Sequence, residues 1–196
     1  MGGLWVMRHG RSRANAAGVV CSRAGACAGL VPEGREQARA AGRELLGELA
    51  PGGPAPVLLS SPFKRAQETA AEVVGVLREA GVAAEVEEEP GLAERWFGEL
   101  EGAPDSVYPE VWAEDARDPS CAGRGVESVE AVAARARAVL KGPRLAALAA
   151  AGRPAVLVAH GDALSILCAV HSGSALAAHR DHGLPPAGLL RLEPDP

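Results

Sequence analysis

Two histidines and two arginines stand at the ends of short apolar runs far apart in the chain. Arg8-His9-Gly10 follows the apolar residues 4–7, Ser60-Ser61-Pro62-Phe63-Lys64-Arg65 follows 57–59, and His160-Gly161-Asp162 follows 155–159. Such a set suits phosphoryl transfer. A phosphate dianion needs cationic donors around its equatorial oxygens, and the planar fork of arginine matches that geometry. An imidazole left unprotonated on its reacting nitrogen can attack phosphorus in line, with the rate resting on positioning and on stabilised charge. The scheme requires no metal. Gly10 would remove side-chain bulk beside His9 and let the backbone approach the phosphate. Arg65 would lie in the first turn of a helix, where free N–H groups also favour an anion.

These residues can meet only if the runs before them are neighbouring strands. Short apolar runs alternate here with longer helical patterns, the signature of an α/β domain with a mainly parallel sheet. Strands are expected at 4–7, 57–60 and 155–159, with a fainter pattern at 83–87 and an edge strand at 189–192. Helical spacing runs from 34 to 49 through Ala38, Ala41, Leu45, Leu46 and Leu49. A second helix is expected to open with Ser61 as N-cap and Pro62 at its first position, burying Ala66, Ala70, Val73, Val74 and Leu77. Further helices are expected at 107–116 and 129–140, the latter broken at Pro143. In an open parallel sheet, ligands bind outside the carboxyl ends of the strands at a switch point in strand order, so the polar motifs would converge there. The whole chain, 1–196, is expected to form one domain, with 103–125 as a small insertion covering the site.

With these motifs in order, the sequence resembles the histidine phosphatase superfamily, also called the phosphoglycerate mutase-like family. The first motif is Arg8-His9-Gly10-Arg11-Ser12-Arg13-Ala14-Asn15 and the second runs from Ser60 to Ala70. The third, running from Leu92 through Glu94 to Gly102, resembles the loop that carries the proton donor, and the fourth is Val158-Ala159-His160-Gly161-Asp162. The resemblance implies a three-layer α/β/α sandwich with a mostly parallel central sheet. It implies His9 as the phosphorylated nucleophile, with Arg8, Arg65 and His160 forming the phosphate pocket, and Glu94 as general acid and later base. Gly10, Ser12, Asn15 and Gly161 would contact the phosphate or the substrate. Glu99 and Glu101 are competing carboxylates close to Glu94. The family often continues after its first motif with Asp-x-Pro-Leu, where this chain has residues 21–30. Many members have an arginine after the last motif where this chain has Ser165.

The remaining features narrow the class. A chain of 196 residues with 47% hydrophobic and 23% charged residues is that of an ordinary globular domain. A formal net charge of −5 argues against nucleic acid as a partner. No apolar run approaches the roughly 20 residues that cross a bilayer, the opening lacks the sections of a secretory signal, and Val6 breaks the myristoylation pattern. Cys21, Cys27, Cys121 and Cys168 show no CxxC spacing, so a reduced, cytoplasmic protein is expected. The GxG-type runs lack a dinucleotide fingerprint, so no cofactor is expected. His171, His179 and His182 receive no role, and Arg11, Arg13, Arg23 and Lys64 either extend the positive field or are solvated. The expected partner is a small phosphorylated substrate, and the oligomeric state is left open. Hydrolysis is expected over a mutase reaction, because 103–125 is modest and acidic and the chain ends soon after its last strand. A non-catalytic module binding phosphorylated ligands or a protein partner is the alternative of a different class.

Overall fold

Unbroken apolar runs such as 4–7 and 155–159 can be buried only in a sheet covered on both faces. The computed structural model, which describes residues 2–25 and 28–193, has that arrangement. Cys27 and residues 194–196, named above, lie outside the described residues. Five strands, β1 (Leu4–Arg8), β2 (Val57–Ser60), β3 (Glu85–Glu88), β4 (Ala155–Ala159) and β5 (Leu189–Leu192), form one sheet in the order β3-β2-β4-β1-β5. β1 runs parallel to β4, β4 to β2 and β2 to β3, while β5 lies antiparallel to β1 at the edge. The three strands that end in the polar motifs are therefore the three central ones.

Side chains alternate across the sheet, and each face carries its own core. Trp5, Met7, Leu58, Val156 and Val158 pack against Ala41 and Leu45 of α2 (Pro32–Glu48) and against Ala66, Ala70, Val73 and Leu77 of α3 (Lys64–Glu79). Val6, Val57, Leu59 and Leu157 face α5 (Val129–Leu140), α6 (Pro143–Ala150) and α7 (Gly161–Ser172) through Ala136, Val139, Leu145, Leu148, Leu164 and Leu167. The result is a three-layer α/β/α sandwich with a mostly parallel sheet. Pro143 sits in the first turn of α6, where its missing N–H costs nothing. In α7, residues 162–169 are all buried. A helix apolar on every side shows no stripe, which is why no periodicity announced it. Outside the sandwich, Val20, Phe97, Leu100, Val111 and Val126 form a small separate core beneath α4 (Tyr108–Arg117), within the 103–125 segment. A short α1 (Arg13–Ala17) follows the first motif.

Two expectations are corrected. Ser61 and Pro62 do not open α3, whose N-cap position is Phe63 with no side-chain cap. The Ser61 hydroxyl is engaged instead by the Phe63 N–H (3.3 Å) and by His160 (2.7 Å), a partner 99 residues away that no local rule could supply. Cys21 is disulfide-bonded, against the reduced state expected, while Cys121 and Cys168 are free. A disulfide needs Cα atoms about 4.4–6.8 Å apart and suitably directed Cβ atoms, a condition of geometry in space and not of CxxC spacing. No single helix among the described residues is long and apolar enough to cross a membrane.

Gly10 and Gly34 lock the loop after β1 onto the start of α2. A Cβ at Gly34 would run into the Arg11 backbone, and one at Gly10 into the Gly34 carbonyl. Gly34→Ala should therefore cost about 1–3 kcal/mol, as overpacking of rigid backbone does. Chemical denaturation checks it; a change within about 0.5 kcal/mol would show that the approach is looser than the backbone here.

Candidate active site

The parallel ladder continues past the named strands. The His9 N–H donates to the Ala159 carbonyl (2.9 Å) and the Ser61 N–H to the Val158 carbonyl (2.9 Å). His9, His160 and Ser61 thus leave one end of the sheet side by side, and the two imidazole rings meet edge to face with centroids 5.1 Å apart. Arg65, in the first turn of α3, reaches between them. Its Nε–H is shared by His9 Nε2 (3.0 Å) and His160 Nδ1 (3.1 Å).

Those contacts fix both tautomers. A guanidinium only donates, so His9 Nε2 and His160 Nδ1 must be acceptors and carry no proton. The His9 proton then sits on Nδ1 and is donated to the Gly10 carbonyl (2.7 Å), and the His160 proton sits on Nε2 and is donated to Ser61 Oγ (2.7 Å). Burial, reinforced by the Arg65 charge, holds both imidazoles well below the usual histidine range. They are therefore neutral near pH 7, and His9 presents a lone pair.

The arginines hold donors in reserve. Arg8 Nη1 donates to the Leu184 carbonyl (2.8 Å) and Arg65 Nη2 to the Cys21 carbonyl (3.1 Å). Arg8 Nε and Arg65 Nη1 are buried and have no hydrogen-bond partner among the described residues. Buried donors are rarely left unmet, so this pair calls for an anion. Both arginines line a cavity of about 220 Å³, together with His9, Ser12, Asn15, Glu94 and Gly161. Asn15 closes a capping box with Ser12 through its Oδ1, which leaves its Nδ2 unengaged. Gly161 starts α7, whose N-terminus adds a favourable field for negative charge.

Glu94 stands across from the imidazoles. Its Oε1 accepts from the Arg95 N–H (3.0 Å) and the Ala163 N–H (3.4 Å), while Oε2 lies 4.0 Å from Arg65 Nη2 and 3.9 Å from His160 Nδ1. Burial raises its carboxyl above the usual range; Arg65 opposes the shift and Asp162 adds to it. The competing carboxylates are elsewhere. Glu101 is bound to the backbone N–H and hydroxyl of Ser22 (2.7 and 2.6 Å), and Glu99 is exposed.

Two of the expected site residues sit differently from the expectation. Gly10 is not among the residues lining the cavity. Its N–H donates to Thr69 Oγ1 (3.1 Å), and its missing side chain serves the approach to Gly34. His160 does not line the cavity either, being fully buried behind Arg65. Of the other basic residues, Arg11 pairs with Glu33 and Lys64 with Glu68, and Arg13 and Arg23 also lie off the cavity wall.

Sequence reasoning missed a buried polar network behind the cavity. Arg95 is wholly buried and bidentate to Asp115 (2.6 and 2.7 Å), and it reaches Asp162 at 3.4 Å. His179 bonds Ser165 Oγ (2.9 Å) and approaches Asp115 (3.4 Å). Asp162 also accepts from Trp112 Nε1 (3.2 Å) and from Arg180 Nη1 (3.0 Å). Tyr108, Trp112 and Arg180 line the cavity too. No local signal marks it, since Arg95 and Asp115 each stand beside other charged residues in the sequence.

A neutral imidazole, two waiting guanidinium donors and a raised carboxyl around one small cavity are consistent with the motif-level resemblance. The chain belongs to the histidine phosphatase superfamily (branch 1), whose family model matches residues 4–196. A mycobacterial glucosyl-3-phosphoglycerate phosphatase solved with VO3 superposes with a TM-score of 0.72 at 28% identity, over 97% of this chain and 92% of that one. The structure described as mycobacterial hydrolase 1 gives 0.69 at 28% identity, over 97% and 88%. A phosphoserine phosphatase from Entamoeba histolytica, in complex with 3-phosphoglyceric acid, shares the fold, with a TM-score of 0.71 at 20% identity over 97% and 90%. No protein of curated function matches the chain.

The Arg95–Asp115 pair joins the Glu94 loop to α4, and removing one partner leaves a buried charge unanswered. Asp115→Ala should lower unfolding free energy by about 3–5 kcal/mol, whereas Arg95→Met with Asp115→Leu should recover much of that loss. Denaturant titration of the three proteins checks it. A single variant within about 1 kcal/mol of the parent would contradict it.

Proposed function

We propose that the chain is a phosphomonoester hydrolase acting through a phosphohistidine on His9. The observation that carries this reading is the pair of unmet donors, Arg8 Nε and Arg65 Nη1, in two arginines that line one cavity with His9, whose Nε2 is unprotonated. A phosphate ester placed there takes those donors, and the Nε–H of Arg65 turns from the imidazoles to a phosphate oxygen.

His9 Nε2 then forms a bond to phosphorus as the ester P–O bond breaks. Glu94, whose carboxyl burial shifts toward its protonated form, gives its proton to the leaving alkoxide. The resulting phosphoimidazolium keeps its Nδ1–H on the Gly10 carbonyl, which favours the positive ring. In the second half, the Glu94 carboxylate takes a proton from water, the hydroxide bonds to phosphorus, and the P–N bond breaks. His9 and Glu94 return to their starting states. His160, neutral and pinned by Ser61, packs edge to face against the His9 ring. The 103–125 segment covers the cavity through Tyr108 and Trp112 and limits access of bulk water. Membership of the superfamily and the phosphatase among the 28%-identical structures support hydrolysis as the outcome.

Glu94→Gln should lower kcat/KM, which reports the first half-reaction, about 10²–10⁴-fold for alkyl phosphates, which need a proton at the leaving oxygen. For p-nitrophenyl phosphate, whose leaving group departs as an anion, the loss should be far smaller. The pH dependence follows from the signs. A lowered His9 pKa keeps the nucleophile neutral until well below the ordinary value of 6.5. A raised Glu94 pKa keeps the acid protonated above the ordinary value of 4.5 and loses it as pH rises further. The alkaline limb of kcat/KM should therefore belong to Glu94 and disappear in Glu94→Gln. Equal losses on both ester classes, or exchange between 2- and 3-phosphoglycerate without phosphate release, would contradict the assignment.

A further inference from the structure

The end of the sheet away from His9 carries two cavities that take no part in the chemistry above. The larger, of about 600 Å³, is lined by Leu190 and Leu192 of β5, by Cys168 and Val170 of α7, and by Arg137 and Lys141 at the end of α5. That volume falls within the roughly 300–1,000 Å³ of small-molecule sites. The smaller, of about 220 Å³, is walled by Leu4, Leu140, Leu145 and Leu148. The two adjoin. Lys141 lines both, and Leu4 and Leu192, one on each wall, are register partners across β1 and β5. Leu4 opens β1, whereas His9 follows its last residue, so these cavities and the site at His9 lie at opposite ends of the sheet.

The floor is apolar and the rim is cationic. Leu190 is 39% exposed there, and Cys168 is a free, buried thiol. Arg137, Lys141 and Arg191 face the single carboxylate of Glu193 on the wall of the larger cavity, in a chain whose formal net charge is −5. Arg137 and Lys141 stand one turn apart, a spacing at which like charges repel. Neither side chain has a hydrogen bond or ion pair among the described residues. Cations at a helix C-terminus suit its dipole, and on an open face that would account for them. Here they border a leucine-lined groove, and the two features select a ligand together. Inorganic phosphate would answer the cations and leave the leucines uncovered. A neutral apolar molecule would cover the leucines and leave the cations unanswered.

We propose that the adjoining cavities bind a small amphiphilic anion, a medium-length acyl chain ending in a carboxylate. The head group meets Arg137 and Lys141, and the chain lies along Leu190, Leu192 and the leucines of the smaller cavity. This site is independent of the reaction at His9. Its test involves no turnover, so failure of either reading leaves the other standing.

Isothermal titration of the full chain would compare hexanoate, octanoate and decanoate, each below its micelle concentration, with octanol. Binding should be saturable at one site, and affinity should rise about threefold to fourfold per added methylene. Octanol should bind about tenfold or more weakly than octanoate, the worth of a hydrogen bond to a charged group. Arg137→Glu with Lys141→Glu should remove that advantage while octanol binds as before, which shows the groove intact. Arg43→Glu with Arg78→Glu makes the same change in net charge on exposed positions of α2 and α3, on the other face of the sheet, and should leave octanoate binding unchanged. Absence of saturable binding, equal affinity for octanoate and octanol, or equal losses in the two double variants would overturn the proposal. A dimer in sedimentation that Arg137→Glu with Lys141→Glu breaks apart would do so too, because it would give this face to a second copy of the chain.

Discussion

A single N–H holds the site together. The Nε–H of Arg65 is offered to His9 Nε2 and His160 Nδ1 at 3.0 and 3.1 Å, and this shared contact can form only if three strand ends lie side by side. The order β2-β4-β1 supplies that, with all three strands parallel. A crossover to place β4 between β1 and β2 in turn needs helices on both faces, and the two cores of the sandwich are its consequence. Thr69 ties the arrangement one turn further along α3. Its hydroxyl donates to the Arg65 carbonyl (2.7 Å) and accepts from Gly10 (3.1 Å), so the loop carrying His9 is bonded to the helix carrying Arg65.

Burial then decides protonation. Removing His9, His160 and Glu94 from water disfavours the charged form of each, and the effect runs in opposite directions for bases and acids. The imidazoles are pushed to neutral and the carboxyl is pushed toward its protonated form. Arg65 strengthens the first effect and opposes the second, yet burial outweighs it at Glu94. One buried environment therefore favours both an unprotonated imidazole nitrogen and a protonated carboxyl, the pairing that nucleophilic attack with leaving-group protonation requires. The Arg95–Asp115–Asp162 network keeps the Glu94 loop and α4 attached to this environment.

Much of this was legible from sequence because it is local. An apolar run followed at once by a polar motif places Arg8, His9 and His160 at strand ends, and helical spacing after Lys64 places Arg65 in a first turn. What escaped was long-range. Ser61 followed by Pro62 has the form of a helix start, but His160 takes its hydroxyl from across the sheet. Gly10 looked like an opening for phosphate and is instead a contact with Gly34. His179 and Asp115 are 64 residues apart, and no periodicity links them. α7 lacked a stripe because it is surrounded on all sides. The disulfide at Cys21 is a contact through space, which residue spacing alone does not encode.

The central claim is that His9 reacts through Nε2, because Nδ1 is committed to the Gly10 carbonyl. Protein labelled with ¹⁵N-histidine, mixed with substrate, rapidly denatured in alkali to preserve the P–N bond and examined by ³¹P–¹⁵N correlation, reads the phosphorylated nitrogen directly. The structure predicts phosphate on His9 Nε2 and on no other residue. Phosphate on Nδ1, or turnover with no phosphohistidine at His9, would contradict the account.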